Sequence, residues 1–147
     1  MIGPVSVEVI QSVEDPRYAL CSKIRRVIFQ YGQNVPEDRE VDGLDTSSVH
    51  FLASVGEEPV GVARMRIHEG WAKAERVAVV GAARGTGVGR ALMAALEYRA
   101  VEEGCVGVLL SSQLEAVGFY ERLHYISTGE PYLDADILHR DMRKPLQ

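Results

Sequence analysis

A glycine-rich turn between a predicted strand and a predicted helix constrains this chain more than any other feature. Gly85, Gly87 and Gly89 alternate directly after Arg84. An apolar run over residues 77–80 precedes them, and residues 87–103 repeat apolar positions at helical spacing. Backbone N–H groups at a helix N-terminus have no intrahelical partner and favour an anion. The sequence therefore predicts a turn that cradles a phosphate-bearing ligand, although a turn without a ligand could have the same spacing.

Two nucleotide-binding motifs do not fit this turn. The dinucleotide fingerprint G-x-G-x-x-G would place its third glycine at Arg90. The acidic residue expected about 20 residues later is matched only by Glu103, at the end of a helix rather than of a strand. The Walker A motif needs a Gly-Lys-Ser/Thr triplet, which this sequence lacks. A dinucleotide or nucleoside triphosphate is therefore not the predicted ligand.

The other apolar patterns predict alternating strands and helices. Strands are predicted over residues 5–10, 50–55, 60–66, 74–80 and 106–111, with two further β stretches in residues 125–142, divided at residues 129–131. Helices are predicted over residues 15–32, 87–103 and 115–123, and an acidic loop over residues 33–48. This order predicts an α/β (α+β) fold with a mixed sheet, as a single domain over residues 1–147.

Composition limits the classes of partner. The chain is 46% hydrophobic and 25% charged, which is typical of a globular protein, and its formal net charge of -5 argues against nucleic acid. Its apolar runs are far shorter than the ~18 residues of a membrane span, and its first residues do not resemble a signal peptide. Cys21 and Cys105 form no CxxC pair, so we expect buried thiols, no metal and a cytoplasmic location.

The glycine turn and its flanks resemble the acyl-CoA motif of the GNAT N-acetyltransferase superfamily. Residues 76–79 and 84–89 are similar to its strand and its R/Q-x-x-G-x-G/A turn. Residues 109–123 are similar to the following strand and aromatic helix of the family. The segments around Arg25 and Arg64, and residues 137–144, resemble the ElaA-like and glyphosate-acetyltransferase-like branch. The chain departs from the pattern of the family or branch at Gly32, His124, Tyr125 and Leu138.

This resemblance implies a mixed, mostly antiparallel sheet of six to seven strands flanked by about four helices, with a V-shaped split between the strands at 74–80 and 106–112. It also implies acetyl-CoA as acyl donor, with its pyrophosphate on the N–H groups of the turn and its pantetheine along the strand. The residues that would bind this donor are Val77, Ala78, Val79, Arg84, Gly85, Thr86, Gly87, Val88, Gly89 and Gln113.

The resemblance further implies direct transfer of the acetyl group to an amine, without a covalent enzyme intermediate. Tyr120 is the candidate general acid for the departing CoA thiolate, with a purely aromatic packing role as the alternative. His139 is the candidate base, because an imidazole can take up a proton at neutral pH, with a structural histidine as the alternative. Cys105, at the start of a predicted strand, is expected in the core rather than as a nucleophile.

Two features point to different acceptors. Arg25 and Arg64 match arginines that face the acceptor in this branch, and arginine binds carboxylates in a bidentate manner. An acidic loop could instead attract a cationic amine, or it could simply be solvated. The acids of this loop are Glu37, Asp38, Glu40, Asp42 and Asp45.

The prediction is therefore an N-acetyltransferase that acts on a small-molecule amine. One alternative is an acyl-CoA-binding sensor without turnover, which would keep the glycine turn but would not need Tyr120 or His139. Another is an acetyltransferase of proteins or peptides, which would have an open groove. A homodimer is possible on the family resemblance.

Overall fold

The computed structural model describes residues 4–33, 35 and 40–146. In this part of the chain, seven strands form one sheet in the order β1-β2-β3-β4-β5-β7-β6, which confirms the predicted mixed sheet. The strands are β1 (Val5–Ile10), β2 (Val49–Val55), β3 (Glu58–His68), β4 (Trp71–Val79), β5 (Gly107–Gln113), β6 (Ile126–Asp134) and β7 (Ile137–Pro145).

The sheet divides between β4 and β5, which run parallel while all other neighbours are antiparallel. Their pairing begins at Trp71 and Gly107 and stops at Ala74 and Leu110. Residues 75–79 of β4 and 111–113 of β5 lie beyond the last pair, so the two strands separate there. This confirms the predicted V-shaped split.

Helices cover both faces of the sheet. On one face lies α1 (Tyr18–Arg25), which continues as a π-helical segment (Arg26–Gly32); on the other lies α2 (Val88–Glu102), and α3 (Val117–Arg122) follows β5. Leu52 packs with α1 and its neighbour Phe51 with α2, because successive side chains of a strand point to opposite faces. The described residues form three α-helices, where about four were predicted.

The last hairpin turns at a different place from the predicted one. β6 continues through residues 129–131, where Gly129 has φ +77 and the register of the ladder shifts. Because Pro131 has no N–H to donate, this segment forms an irregularity within the strand rather than a break. The chain reverses at Ala135 and Asp136, whose φ values of 51 and 62 are those of a two-residue hairpin turn. The predicted division at residues 129–131 was therefore wrong.

Candidate active site

A cleft of about 1100 Å³ opens where β4 and β5 separate. Its walls come from the separated strand ends, the glycine turn, α3, the β6–β7 hairpin and the π-helical segment. The predicted catalytic residues Tyr120 and His139 both line it. Of the predicted donor-binding residues, those that line it are Val77, Ala78, Val79, Arg84, Gly85, Gly87, Gly89 and Gln113.

A β-bulge shapes the β4 wall of this cleft. Four residues of β4 (75–78) lie opposite three residues of β3 (62–64), so β4 contains one extra residue at this point. Arg76 has φ +53 there, a backbone conformation that costs a non-glycine residue about 1–3 kcal/mol. The guanidinium of Arg76 donates to Glu40 at 2.8 Å, which helps to hold this conformation. No Gly or Pro marks the position, so the bulge could not be predicted from the local sequence.

Beyond the bulge, β4 presents a backbone edge to the cleft. The Val80 N–H donates to the Val60 carbonyl of β3 at 2.9 Å. Because backbone groups alternate sides along a strand, the Val79 N–H points to the opposite edge, into the split. The Val79 carbonyl accepts a hydrogen bond from Arg84 Nε at 3.1 Å. The Val79 N–H is therefore placed to meet a ligand that pairs with this edge.

The glycine turn presents the N-terminus of α2 to the cleft. Gly85 and Gly87 have φ values of +77 and +91, which residues with a Cβ rarely adopt. α2 begins at Val88 without a side-chain cap, so its first N–H groups are left for a ligand. Arg84 and Arg90 add positive charge to the same part of the cleft wall. This set of donors fits an anionic group such as a diphosphate.

Two residues of the turn have side chains with structural roles. The Thr86 hydroxyl donates to a backbone carbonyl three residues earlier. The Val88 side chain is buried, and a Cβ on Gly61 would lie 2.9 Å from it. These two residues can therefore offer a ligand in the cleft only their backbone N–H groups. Gly89 makes room for the Phe119 ring, because a Cβ at this position would lie only 3.0 Å from the ring.

Tyr120 offers a protonated hydroxyl to the cleft. Its side chain is 7% exposed, and its ring packs edge-to-face on Phe119 and Tyr125, with centroids 4.9 and 5.7 Å away. Burial raises the pKa of the Tyr120 phenol, so the group keeps its proton at neutral pH. Within the described residues its hydroxyl has no hydrogen-bond partner, and it is not fully enclosed. It is therefore a donor that awaits an acceptor in the cleft.

A backbone carbonyl selects one tautomer of the neutral His139 ring. Its Nδ1 lies 2.7 Å from the Ile137 carbonyl. Because a carbonyl only accepts, Nδ1 carries the hydrogen in the neutral ring and the lone pair is on Nε2. The ring stacks on Tyr132 with centroids 6.2 Å apart and planes 25° apart. This arrangement suits Nε2 as the atom that takes up a proton.

Gln113 already has a partner across the cleft. Its Nε2 donates to Gln33 Oε1 at 2.8 Å, and Gln33 Nε2 donates back at 3.4 Å. Gln33 directly follows the π-helical segment, so the pair joins two walls of the cleft. A ligand amide bound to Gln113 would compete with Gln33 for the same amide group.

Arg25 and Arg64 lie in a buried ion-pair network, not on the cleft wall. They are 2% and 1% exposed, and all their guanidinium nitrogens donate to acceptors within the chain. The prediction that they bind a substrate carboxylate is therefore corrected, because these groups are occupied and enclosed. The carboxylates that hold them are Glu40, Asp42, Asp45 and Glu75.

The predicted acidic loop supplies most of these carboxylates, while Glu37 and Asp38 of that loop lie outside the described residues. Hydrogen bonds from Arg64 hold the pKa of the Asp42 carboxyl well below its usual value. Burial opposes ionisation of Asp45, but hydrogen bonds from Tyr18 and Arg64 outweigh burial and lower the pKa of its carboxyl. Both carboxyls are therefore ionised members of the network rather than a solvated surface.

Several cleft residues were not predicted as site residues, although Glu40 was considered as a member of the acidic loop. Glu40 and Glu75 face the cleft with carboxylates bound to arginines, and their burial depends on contacts distant in sequence. Tyr132 and Asp141 lie in the β6–β7 hairpin beside His139. Only the alternation of β7 could have located Asp141, which lies two residues after His139 and shares its face.

No helix within residues 4–33, 35 and 40–146 has the length and apolar character needed to cross a membrane. In the same residues, no group of three or more His, Cys, Asp or Glu side chains is arranged to hold a metal ion.

Known proteins share this sequence and this fold. A model of the family described as "Acetyltransferase (GNAT) domain" matches residues 29–146. The uncharacterized N-acetyltransferase YjcF of Bacillus subtilis is 39% identical over 122 residues, which are 82% of this chain and 87% of that protein.

Solved structures of acyltransferases and related proteins have a similar fold. The crystal structure of Escherichia coli ElaA has a TM-score of 0.84 and 25% identity, with 96% of this chain and 99% of that chain covered. An acyl-CoA N-acyltransferase from Pseudomonas aeruginosa has a TM-score of 0.82 and 28% identity, with 96% and 99% covered. The family match includes the split strands, the glycine turn and the aromatic helix, and the chain belongs to the GNAT acetyltransferase family.

Proposed function

We propose that this protein transfers the acetyl group of acetyl-CoA directly to the amine of a small molecule. The observation that carries the proposal is the cleft, which joins an anion-binding helix start to a protonated phenol and an imidazole. The acyl-CoA N-acyltransferase of Pseudomonas aeruginosa, 28% identical, supports an acyl-CoA donor. The proposal includes no binding of a substrate carboxylate by Arg25 and Arg64, because both arginines are buried and paired.

The donor would lie along the split. Its diphosphate would accept hydrogen bonds from the N–H groups of residues 85–89, with Arg84 and Arg90 offsetting its charge. The Arg84 N–H, which was also expected to bind the diphosphate, already donates to the Gly81 carbonyl at 3.2 Å. Its pantetheine would pair with the backbone of Val77 and Val79 as an added strand does. The thioester carbonyl would accept the Val79 N–H, which stabilises the negative charge that develops on this oxygen.

Two side chains would move the protons. His139 Nε2 takes a proton from the acceptor ammonium, and the lone pair of the amine then attacks the thioester carbon. As the C–N bond forms, the C–S bond breaks, the nitrogen releases its second proton to solvent, and the sulfur leaves as a thiolate. Tyr120 gives this thiolate its phenolic proton and later recovers a proton from solvent. Because burial favours the neutral phenol, the donor state is populated throughout the neutral pH range.

We also propose a cytoplasmic location, on the basis of the cysteines. Cys21 and Cys105 are free and buried. Burial raises the pKa of the Cys21 thiol to about 12, so this group is held in its unreactive form. Free thiols of this kind are typical of a reducing compartment.

An acetyl-transfer assay tests the proposed function. The protein is incubated with acetyl-CoA and separate pools of amino acids, amino sugars, diamines and peptides, and both the CoA thiol and the mass of the product are measured. We expect CoA release together with an added acetyl mass on a small-molecule amine. Transfer confined to peptides, or acetyl-CoA hydrolysis without an acetylated amine, would contradict the proposal.

A further inference from the structure

The cleft is electrically asymmetric. The basic groups near the glycine turn are Arg84, Arg90 and Arg122. The rest of the cleft wall is lined by four carboxylates and two basic groups. Those carboxylates are Glu40, Glu75, Asp134 and Asp141, and the two basic groups are Lys73 and Arg76. Because Glu40 and Glu75 are already paired with arginines, the negative charge that this wall can offer to a cationic acceptor comes from its remaining carboxylates.

Asp141 differs from the other acids of this wall. Glu75 and Glu40 are bound by buried arginines, and Asp134 interacts within the chain. Asp141 is exposed to the cleft and, within the described residues, has no ion-pair partner. Its carboxylate accepts one side-chain hydrogen bond there. Its charge is therefore available to a ligand.

Tyr132 holds Asp141 in place. The Tyr132 hydroxyl donates to Asp141 Oδ1 at 2.6 Å. Since this hydroxyl has one proton, the neighbouring Ser111 hydroxyl donates to Tyr132 in turn. The arrangement leaves Asp141 Oδ2 for an ammonium group. Because the Tyr132 ring also stacks on His139, one side chain orients both the carboxylate and the proposed base.

The spacing along β7 suits a molecule with two positive groups. Met142 is buried in the core with α2, so Asp141 and His139 point to the opposite face of the strand. Residues two apart in a strand are separated by roughly 7 Å. A short aliphatic diamine can span this distance, with one nitrogen at His139 and the other at Asp141.

We propose that the acceptor is an amine with a second positive charge, and that Asp141, held by Tyr132, binds this second charge. The inference rests on the proposed function and specifies its substrate class. An acceptor with a carboxylate at the same position would be repelled by Asp141, and the buried Arg25 and Arg64 could not compensate.

Three amines that share a four-carbon chain test this inference: 1,4-diaminobutane, butylamine and 4-aminobutanoate. With the wild-type protein we expect kcat/KM to be about tenfold higher for diaminobutane than for butylamine, as one charge-assisted hydrogen bond would give, and lowest for 4-aminobutanoate. Asp141→Asn should reduce the ratio of diaminobutane to butylamine to near one. Glu130→Gln removes an exposed charge on β6 that does not line the cleft, and it should keep the wild-type ratio.

The outcomes separate this inference from the function on which it rests. A wild-type ratio near one, a preference for 4-aminobutanoate, or a ratio that Asp141→Asn leaves unchanged would overturn the inference while acetyl transfer stands. Failure to acetylate any small-molecule amine, by a protein that still folds, would overturn the proposed function and the inference with it. Should the variant not fold, the wild-type ratio alone decides.

Discussion

Replacement of Arg64 by methionine is expected to destabilise the fold rather than to remove a substrate contact. Arg64 is 1% exposed and forms ion pairs with Asp42, Asp45 and Glu75 at 2.8, 2.8 and 2.7 Å. Loss of one partner from a buried ion pair costs about 3–5 kcal/mol. The lower end of this range applies here, because the three carboxylates are 21–26% exposed. At about 2–4 °C per kcal/mol for a domain near this size, we expect Tm to fall by about 10 °C.

The loss should also depend on pH. The pKa values of Asp42, Asp45 and Glu75 are lowered in the folded protein. Their ionised forms therefore contribute stability above the carboxyl pKa of the unfolded chain, and this contribution is lost as the pH falls through the lower folded values. Without Arg64 that contribution is smaller, because Asp42, Asp45 and Glu75 keep only one arginine partner each. The difference in unfolding free energy between wild type and Arg64→Met should be largest near pH 7 and should shrink below about pH 4.

Urea denaturation at pH 7 and at lower pH measures this difference, with Arg66→Met as the matched control. Arg66 also binds Glu75, but its side chain is 24% exposed, so its loss should cost about 1 kcal/mol or less. The reasoning is refuted if Arg64→Met unfolds like the wild type while KM for the acceptor rises several-fold. That result would return Arg64 to the role of a substrate-binding residue.

Three further variants test the cleft. Tyr120→Phe should lower kcat at least tenfold while the Kd for acetyl-CoA, measured by calorimetry, stays within about twofold; unchanged turnover would exclude Tyr120 as the acid. His139→Ala should remove the rise of kcat with pH in the neutral range, and a profile identical to wild type would leave deprotonation of the amine to water. Gly87→Ala and Gly104→Ala replace glycines with positive φ at opposite ends of α2, so each should cost about 1 kcal/mol of stability, but only Gly87→Ala should weaken acetyl-CoA binding.

The glycine turn was predictable because its determinants are local. Gly85 and Gly87 are needed for backbone conformations of single residues, and the helix that follows is visible as a periodic pattern. The same holds for the strand before the turn and for the aromatic helix, which carry the family resemblance. The part of the candidate site that would bind the acyl donor could therefore be predicted from short stretches of sequence.

The acceptor side was not predictable in this way. The charges of Arg25 and Arg64 are visible in the sequence, but their burial depends on carboxylates up to 22 residues away and on the neighbouring strand. The bulge at Arg76 depends on pairing with β3, and nothing local marks it. In the last hairpin, a turn was predicted at Gly129, because the neighbouring sequence does not show that pairing with β7 continues past this residue. Contacts between distant segments decided each of these cases.

A crystal structure of the protein with coenzyme A bound tests the central claim most directly. We expect the diphosphate on the N–H groups of residues 85–89, the pantetheine along Val77 and Val79, and the thiol sulfur within hydrogen-bond distance of the Tyr120 hydroxyl. Coenzyme A bound outside the split, or a sulfur atom that lies beyond the reach of Tyr120 and on the far side of the sheet from His139, would contradict the proposed transfer.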